Sequence, residues 1–304
     1  IKEFIQELNG NYVVKADGLC GGKGVKLSGE HLLTIDEGLQ FCKEAIQKFG
    51  KVVIEEKFIG QEFSLMSFVD GENVIDMPPV QDHKRAYEND KGPNTGGMGS
   101  YSFENLSLPF LDEQSLKEAH NITKKTMQAL FQETNEKYKG IMYGGFIRTK
   151  QGVKLIEYNA RFGDPEVMNV LSLIKSNLIE IFENIINGNL GEIEFENQAT
   201  VCKYVVPEGY PINSVKNEII TFDNNIEVKV YYASVNLENN NLIMTGSRAL
   251  AFIAKGTNVK DAEQKVENAI SKVQGRVFYR KDIGTQDLIQ KKVTHMNDVL
   301  KNEI

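Results

Sequence analysis

Two tight turns limit what this chain can fold into. Asp70-Gly71 follows an apolar run at 63–69, and Lys150-Gln-Gly152 separates apolar runs at 141–148 and 153–158. Turns this short join antiparallel neighbours, whereas parallel strands need a long crossover. Helical patterns lie around these hairpins without regular strand–helix–strand alternation. Phe4, Ile5 and Leu8 share a face in the opening segment, which Asn9-Gly10 stops. Thr34-Ile-Asp-Glu37 reads as a capping box for a helix that Gly50 ends. Further helices are expected at about 112–132, from Asp164 to about Asn187, near 258–274, and as a polar helix at the C-terminus. Strands are expected at 12–16, 52–54, 200–206, 227–235, 242–254 and 277–279, and a long glycine-rich loop at 82–100. Loops of that size in a compact domain are usually functional. Mixed hairpins and helices favour an α+β assembly over a doubly wound sheet.

Charge narrows the function classes. In 304 residues, 42 acids against 35 bases leave a net charge of −7, which argues against wrapping nucleic acid. No apolar run reaches the roughly 18 residues of a membrane span, and no charged-then-apolar leader opens the chain. Cys20, Cys42 and Cys202 show no metal spacing and read as reduced thiols. The expected compartment is cytoplasmic. The chain starts at Ile1 in a helix already under way, so it reads as a piece of something longer.

Four segments could carry chemistry. Lys15-Ala-Asp-Gly-Leu-Cys-Gly-Gly-Lys-Gly24 holds four glycines in seven positions between two lysines, a loop able to fold over polyphosphate. It is neither a Walker A loop nor a dinucleotide fingerprint, because no helix opens from it. A plain glycine turn is the alternative. Glu55-Glu-Lys-Phe-Ile-Gly-Gln-Glu62 ends a strand. Its carboxylates are either a solvated rim or groups facing a base and ribose hydroxyls. Gln81-Asp-His-Lys-Arg85 and Gly92-Pro-Asn-Thr-Gly-Gly-Met-Gly99 mix charges that suit a small polar substrate, or a solvated turn. In Leu155-Ile-Glu-Tyr-Asn-Ala-Arg-Phe-Gly-Asp-Pro-Glu166, strand alternation puts Leu155, Glu157, Asn159 and Arg161 on one face. Glu157 and Asn159 offer hard oxygens for Mg²⁺, and Arg161 can clamp a phosphoryl group.

Arg161-Phe-Gly-Asp-Pro-Glu-Val-Met168 closely resembles the signature of the glycinamide ribonucleotide synthetase family of ATP-grasp ligases. The segments at 15–25, 81–85 and 93–99 match in the same order, and Val206-Pro-Glu-Gly-Tyr-Pro211 and Arg280-Lys-Asp-Ile-Gly284 resemble its C-terminal domain. The resemblance implies an α+β ATP-grasp fold, two subdomains at 1–57 and 58–190 clasping ATP. A small mixed α/β C-terminal domain would follow at 195–304. It implies ATP-dependent joining of glycine to 5-phosphoribosylamine through glycyl phosphate, the second step of de novo purine synthesis, with Mg²⁺ or Mn²⁺. By carry-over, Lys15, Gly21, Gly22, Lys23, Gly24, Glu55 and Glu62 would bind nucleotide. Glu157 and Asn159 would bind metal, and Arg161 with Lys23 would act on the transferring phosphoryl group. Asp82, Lys84, Arg85, Asn94, Thr95, Gly96 and Asp164 would line the acceptor pocket. A monomer without nucleic-acid or membrane partners is expected.

The chain departs from the family pattern at Tyr231-Tyr232 and Met244-Thr-Gly-Ser-Arg-Ala249, and the family's N-terminal domain has no counterpart in these residues. Two alternatives stay open: another ATP-grasp ligase joining a carboxylate to an amine, or a nucleotide-binding fragment inactive without that domain.

Overall fold

A computed structural model describes residues 1–18, 20, 24–223 and 226–301. It divides into two compact units, Ile1–Ile59 and Gly60–Ile304.

The first unit is a three-stranded antiparallel sheet carrying two helices. Helix α1 (Lys2–Glu7) leads into β1 (Tyr12–Ala16), which lies between β2 (Val25–Leu27) and, after α2 (Ile35–Phe49), β3 (Val52–Glu56). The expected capping box at α2 forms: Thr34 Oγ1 accepts the Glu37 N–H at 3.1 Å, and Glu37 reaches back to Thr34 N. Gly50 closes the helix in the left-handed conformation. Ile5, Tyr12, Val14, Leu32 and Cys42 make its core.

The second unit opens with an antiparallel hairpin, β4 (Gly60–Val69) and β5 (Val74–Asp76). Asp70 builds the turn, accepting the Glu72 and Asn73 N–H groups at 2.9 and 2.7 Å, Asn73 Nδ2 at 3.0 Å and the distant Leu190 N–H at 2.8 Å. Burial opposes ionisation of its carboxyl, but these hydrogen bonds outweigh it and pull the pKa down to about 2. A depressed folded pKa stabilises fully above the unfolded value near 4 and is lost as pH falls towards 2. Asp70→Asn is therefore expected to remove about 2 kcal/mol at pH 7 and much less at pH 2.5. Urea melts of both proteins at the two pH values check this; an equal difference at both would remove the charge from the account.

The expected loop at 82–100 is structured. It holds β6 (Gln81–Asp82), a ribbon of β7 (Arg85–Tyr87) and β8 (Lys91–Asn94), and β9 (Gly99–Ser102). Next come α3 (Glu113–Thr134), β10 (Gly140–Thr149) and β11 (Gly152–Asn159), giving a sheet of order β11-β10-β4-β5. Where one helix was expected after Asp164 there are two, α4 (Glu166–Leu173) and α5 (Leu178–Asn187). The break follows from pairing: Ile174 bridges Phe195, the Lys175 N–H bonds Glu194 O at 2.9 Å, and Asn177 caps α5.

The remaining strands are β12 (Ala199–Pro207), β13 (Ile219–Ile220), β14 (Lys229–Tyr232), β15 (Val235–Glu238), β16 (Asn241–Met244) and β17 (Leu250–Gly256). The runs expected at 227–235 and 242–254 each split in two. Helix α6 (Val259–Ile270), β18 (Val277–Phe278) and α7 (Gln286–Lys301) complete the chain. The expected boundary near residue 195 does not divide the compact units. Strand β12 pairs with β9, and β9 with β6, in one sheet of order β14-β17-β12-β9-β6. One core accordingly joins Phe63, Met98, Phe146 and Met168 to Val201, Phe252 and Val266. Among the described residues no helix is long and apolar enough to cross a membrane.

Candidate active site

In the first unit, β1 and β3 bring two of the expected residues together. Lys15 Nζ lies 2.5 Å from Glu55 Oε2. Gly24 is held to β1 through its carbonyl, which accepts the Ala16 N–H at 2.9 Å. Gly21, Gly22 and Lys23 lie outside the described residues.

In the second unit the site grows from one face of the β4–β10–β11 sheet. Register sets Ser64 opposite Gly145 and Glu157, and Met66 opposite Tyr143 and Asn159. A bulge changes the expected alternation. Phe146 pairs with Leu155 while Gly145 pairs with Glu157, so Ile156 is an extra residue in β11. Each bulge reverses the faces beyond it. Leu155 therefore leaves the Glu157 and Asn159 face and packs with Tyr158 against the apolar core. The apolar end of the site face, Met66, Phe68 and Tyr143, packs on Val170 of α4 and Ile181 of α5.

The polar end gathers charges. Asn159 Nδ2 is 3.5 Å from Glu157 Oε1, and Arg161 Nη2 is 3.4 Å from Asn159 Oδ1. Glu157 and Arg161 are exposed. A carboxylate and an amide oxygen beside open space fit Mg²⁺, which takes few protein ligands and fills its shell with water and phosphate. Among the described residues no group of three or more His, Cys, Asp or Glu is arranged to hold a metal. Glu157 and Asn159 alone would thus leave most of the shell to water or substrate.

Lys84 Nζ stands 3.6 Å from Glu62 Oε2. Desolvation works against its ammonium, but Glu62, Asp82, Glu157 and Glu166 outweigh it and hold the lysine firmly protonated. The Asp82 pKa is raised as well: burial and then the Glu166 carboxylate lift it well above the usual carboxylate range. Glu166 is buried and accepts hydrogen bonds from Ser64 Oγ at 2.9 Å and Tyr143 OH at 2.8 Å. Asp164 accepts from Tyr204 OH at 2.8 Å and pairs with Arg248 Nη2 at 2.7 Å. Arg248 lies over the Tyr204 ring and donates to the Gly96 and Gly97 carbonyls at 2.8 and 3.0 Å. Gly97 marks the closest approach. At φ 109°, a Cβ there would lie 2.5 Å from Pro165 Cδ and 3.0 Å from Asp82 Oδ1.

The remaining expected residues sit on the ribbon. Arg85 donates back to Gly92 O at 2.9 Å and pairs across the ribbon with Asn94. The Thr95 hydroxyl and N–H both bond Lys84 O, at 2.8 and 2.7 Å. Sequence reasoning did not assign Ser64, Tyr143, Glu166, Tyr204 or Arg248. Glu166 lay inside the quoted motif and could have been found there. Arg248 and Tyr204 meet Asp164 only through the fold.

Comparison with known proteins agrees with this architecture. Residues 1–167 match the family model for the phosphoribosylglycinamide synthetase ATP-grasp (A) domain, and residues 200–286 match that for the C domain. The phosphoribosylamine–glycine ligase of Methanococcus vannielii is 49% identical over 99% of this chain and 70% of its own length. The crystal structure of the Thermotoga maritima phosphoribosylamine–glycine ligase superposes with a TM-score of 0.82 at 31% identity, covering 93% of this chain and 71% of that one. The biotin carboxylase domain of Hydrogenobacter thermophilus 2-oxoglutarate carboxylase shares the fold at a TM-score of 0.66 and 16% identity, covering 98% of this chain and 63% of that one. With two family models together spanning most of its length, this chain belongs to the phosphoribosylglycinamide synthetase family and has the ATP-grasp fold.

Proposed function

We propose that the chain performs the ATP-dependent joining of glycine to 5-phosphoribosylamine, giving glycinamide ribonucleotide, ADP and phosphate. The observation that carries this reading is the ring of opposed charges in the second unit: Glu157, Asn159 and Arg161 at an open strand end, beside Lys84, Asp82, Glu166 and the Asp164–Arg248 pair. A free carboxylate does not acylate an amine, because oxide is a poor leaving group. Transfer of the terminal phosphoryl group of ATP to the glycine carboxylate makes glycyl phosphate, from which the amine of phosphoribosylamine displaces phosphate. Catalysis of such a transfer is chiefly positioning and charge neutralisation.

The chain's residues divide those tasks. Lys15, Lys23, Glu55 and Glu62 would hold the nucleotide, with Gly21, Gly22 and Gly24 allowing close backbone approach. Arg161 and Lys84 would neutralise the transferring group. Glu157 and Asn159 would hold Mg²⁺, which supplies charge neutralisation on the phosphates. Glu166, with Asp82 beside it pushed toward its protonated form, makes an acidic pocket whose carboxyl oxygens suit the ammonium of an amino acid. Asp164, fixed by Arg248 and Tyr204, would line the acceptor side with Arg85, Asn94, Thr95 and Gly96.

The test is a product assay with ATP, Mg²⁺, glycine and freshly made phosphoribosylamine, beside calorimetric titration with a non-hydrolysable ATP analogue. Glycinamide ribonucleotide formed in step with ADP is the expected result. Turnover with a different carboxylate or amine, and none with this pair, would replace the reading with another ATP-grasp ligase. Nucleotide binding without any turnover would reduce the chain to a binding module.

A further inference from the structure

The ribbon of β7 and β8 is a two-stranded sheet that pairs with no other strand among the described residues. Such a ribbon is marginally stable alone, so its placement depends on what holds its ends. Its base carries Lys84 and Thr95 of the site. Its tip is gripped by the C-terminal part of the chain. At the tip, Asn89 and Asp90 both adopt left-handed backbone angles, φ 58° and 52°, which side-chain-bearing residues hold only when their surroundings fix them.

Arg280, with no exposed surface, fixes them first. Its Nη1 donates to Asp90 Oδ1 at 2.7 Å and to Arg85 O at 3.2 Å. Its Nε and Nη2 bond Asp282 at 2.9 and 2.7 Å. Asp282 Oδ2 then accepts the Asn89 N–H at 2.8 Å. From α7, Lys292 Nζ reaches Asp90 Oδ2 at 3.1 Å and Lys291 Nζ reaches Asn89 Oδ1 at 2.5 Å. The Tyr87 and Phe278 rings meet at 6.0 Å between centroids. A buried guanidinium held between two carboxylates is a weak source of net stability, so stability alone does not explain it. It is a strong source of fixed geometry, because the planar fork admits few orientations.

We propose that Arg280, Asp282 and Asp90 are positioning residues that set the reach of the ribbon, so that the C-terminal segment governs binding of the amine substrate without touching it. The substrate named here rests on the ligase reading above; the anchoring of the ribbon does not. The test uses Asp90→Asn, which keeps volume and removes the charge facing Arg280 and Lys292, together with Arg280→Lys and Arg280→Met. In Asp90→Asn, amide exchange across 85–95 is expected to quicken about tenfold while β12 and β17 keep their protection. The KM for phosphoribosylamine is expected to rise about tenfold, with KM for ATP and kcat within about twofold. Arg280→Lys should fall between wild type and Arg280→Met, since it keeps charge but loses the fork. Unchanged exchange in the ribbon overturns the proposal, and so does loss of protection spreading through β12 and β17, or a KM that rises equally for ATP and amine. If these variants fail to fold, Asn89→Ala and Lys291→Ala loosen the same tip from the surface and are judged by the same exchange pattern. A wild-type protein that makes no product would sink the ligase reading alone, and the exchange result would then decide the anchor by itself.

Discussion

Glu157→Gln is expected to abolish nucleotide-dependent turnover, by at least about 10²-fold, in a protein that remains folded. Glu157 is exposed at the end of β11, and its Oε1 accepts the Asn159 amide at 3.5 Å, so packing barely depends on its charge. Glutamine keeps the volume. What disappears is the negative charge of one of the two ligands proposed to hold Mg²⁺ against the phosphates. With so few protein ligands, losing the charged one leaves an amide pair that binds a hard cation poorly. Phosphate release at saturating substrates reports the rate, and thermal unfolding reports the fold. Turnover at the wild-type rate with ordinary Mg²⁺ would remove Glu157 from the reaction.

Lys203→Met is expected to destabilise the second unit by roughly 3–5 kcal/mol. Lys203 has no exposed surface in the middle of β12, and its ammonium bonds Glu263 at 2.8 Å, Glu267 at 2.9 Å and Lys281 O at 2.9 Å. The two glutamates stand one turn apart on α6, so one cation fastens that helix to the sheet. Methionine fills most of the space but leaves two carboxylates facing each other, with only the Tyr279 hydroxyl, 2.6 Å from Glu267 Oε1, to offset the lost cation. Neutralising them as well, with Glu263→Gln and Glu267→Gln, should recover much of the loss, since a buried ion pair costs most when only half is removed. Urea unfolding of the single and triple variants decides it. A single variant within about 0.5 kcal/mol of wild type would mean that water already screens these glutamates.

Local signals in the sequence were legible because they act within a few residues. Strand β1 forms at the expected 12–16, the Thr34–Glu37 capping box opens α2, and both hairpins turn where Asp70-Gly71 and Lys150-Gln-Gly152 stand. What the sequence hid depends on register and distant partners. Period-two alternation places Leu155 with Glu157 only while every residue is paired, and the extra Ile156 breaks that condition. In the 164–187 segment the one local break signal is the Asn177 N-cap; Phe195 and Glu194 complete the break from twenty residues away. The site follows the same division. Glu62, Asp82, Lys84, Glu157, Asn159, Arg161 and Asp164 were visible as charged or polar residues in and just beyond short strands. Their supports were not, because Ser64 reaches Glu166 across 102 residues and Arg248 reaches Asp164 across 84.

The pairing of β9 with β12 also sets a timetable for synthesis. Ser102 cannot meet Thr200 until nearly a hundred further residues have been made, and β12 gains its other neighbour, β17, only when residues 250–256 follow. At 5–20 residues per second, the edge of β9 that β12 will cover stays unpaired on the ribosome for roughly 5–20 s. During that interval the nascent chain displays open backbone donors and acceptors beside apolar Met98 and Tyr101, the kind of edge that recruits other strands. Expression yield should therefore respond to translation speed between residues 100 and 256, and to chaperones that cover strand edges, more than to substitutions on the finished surface.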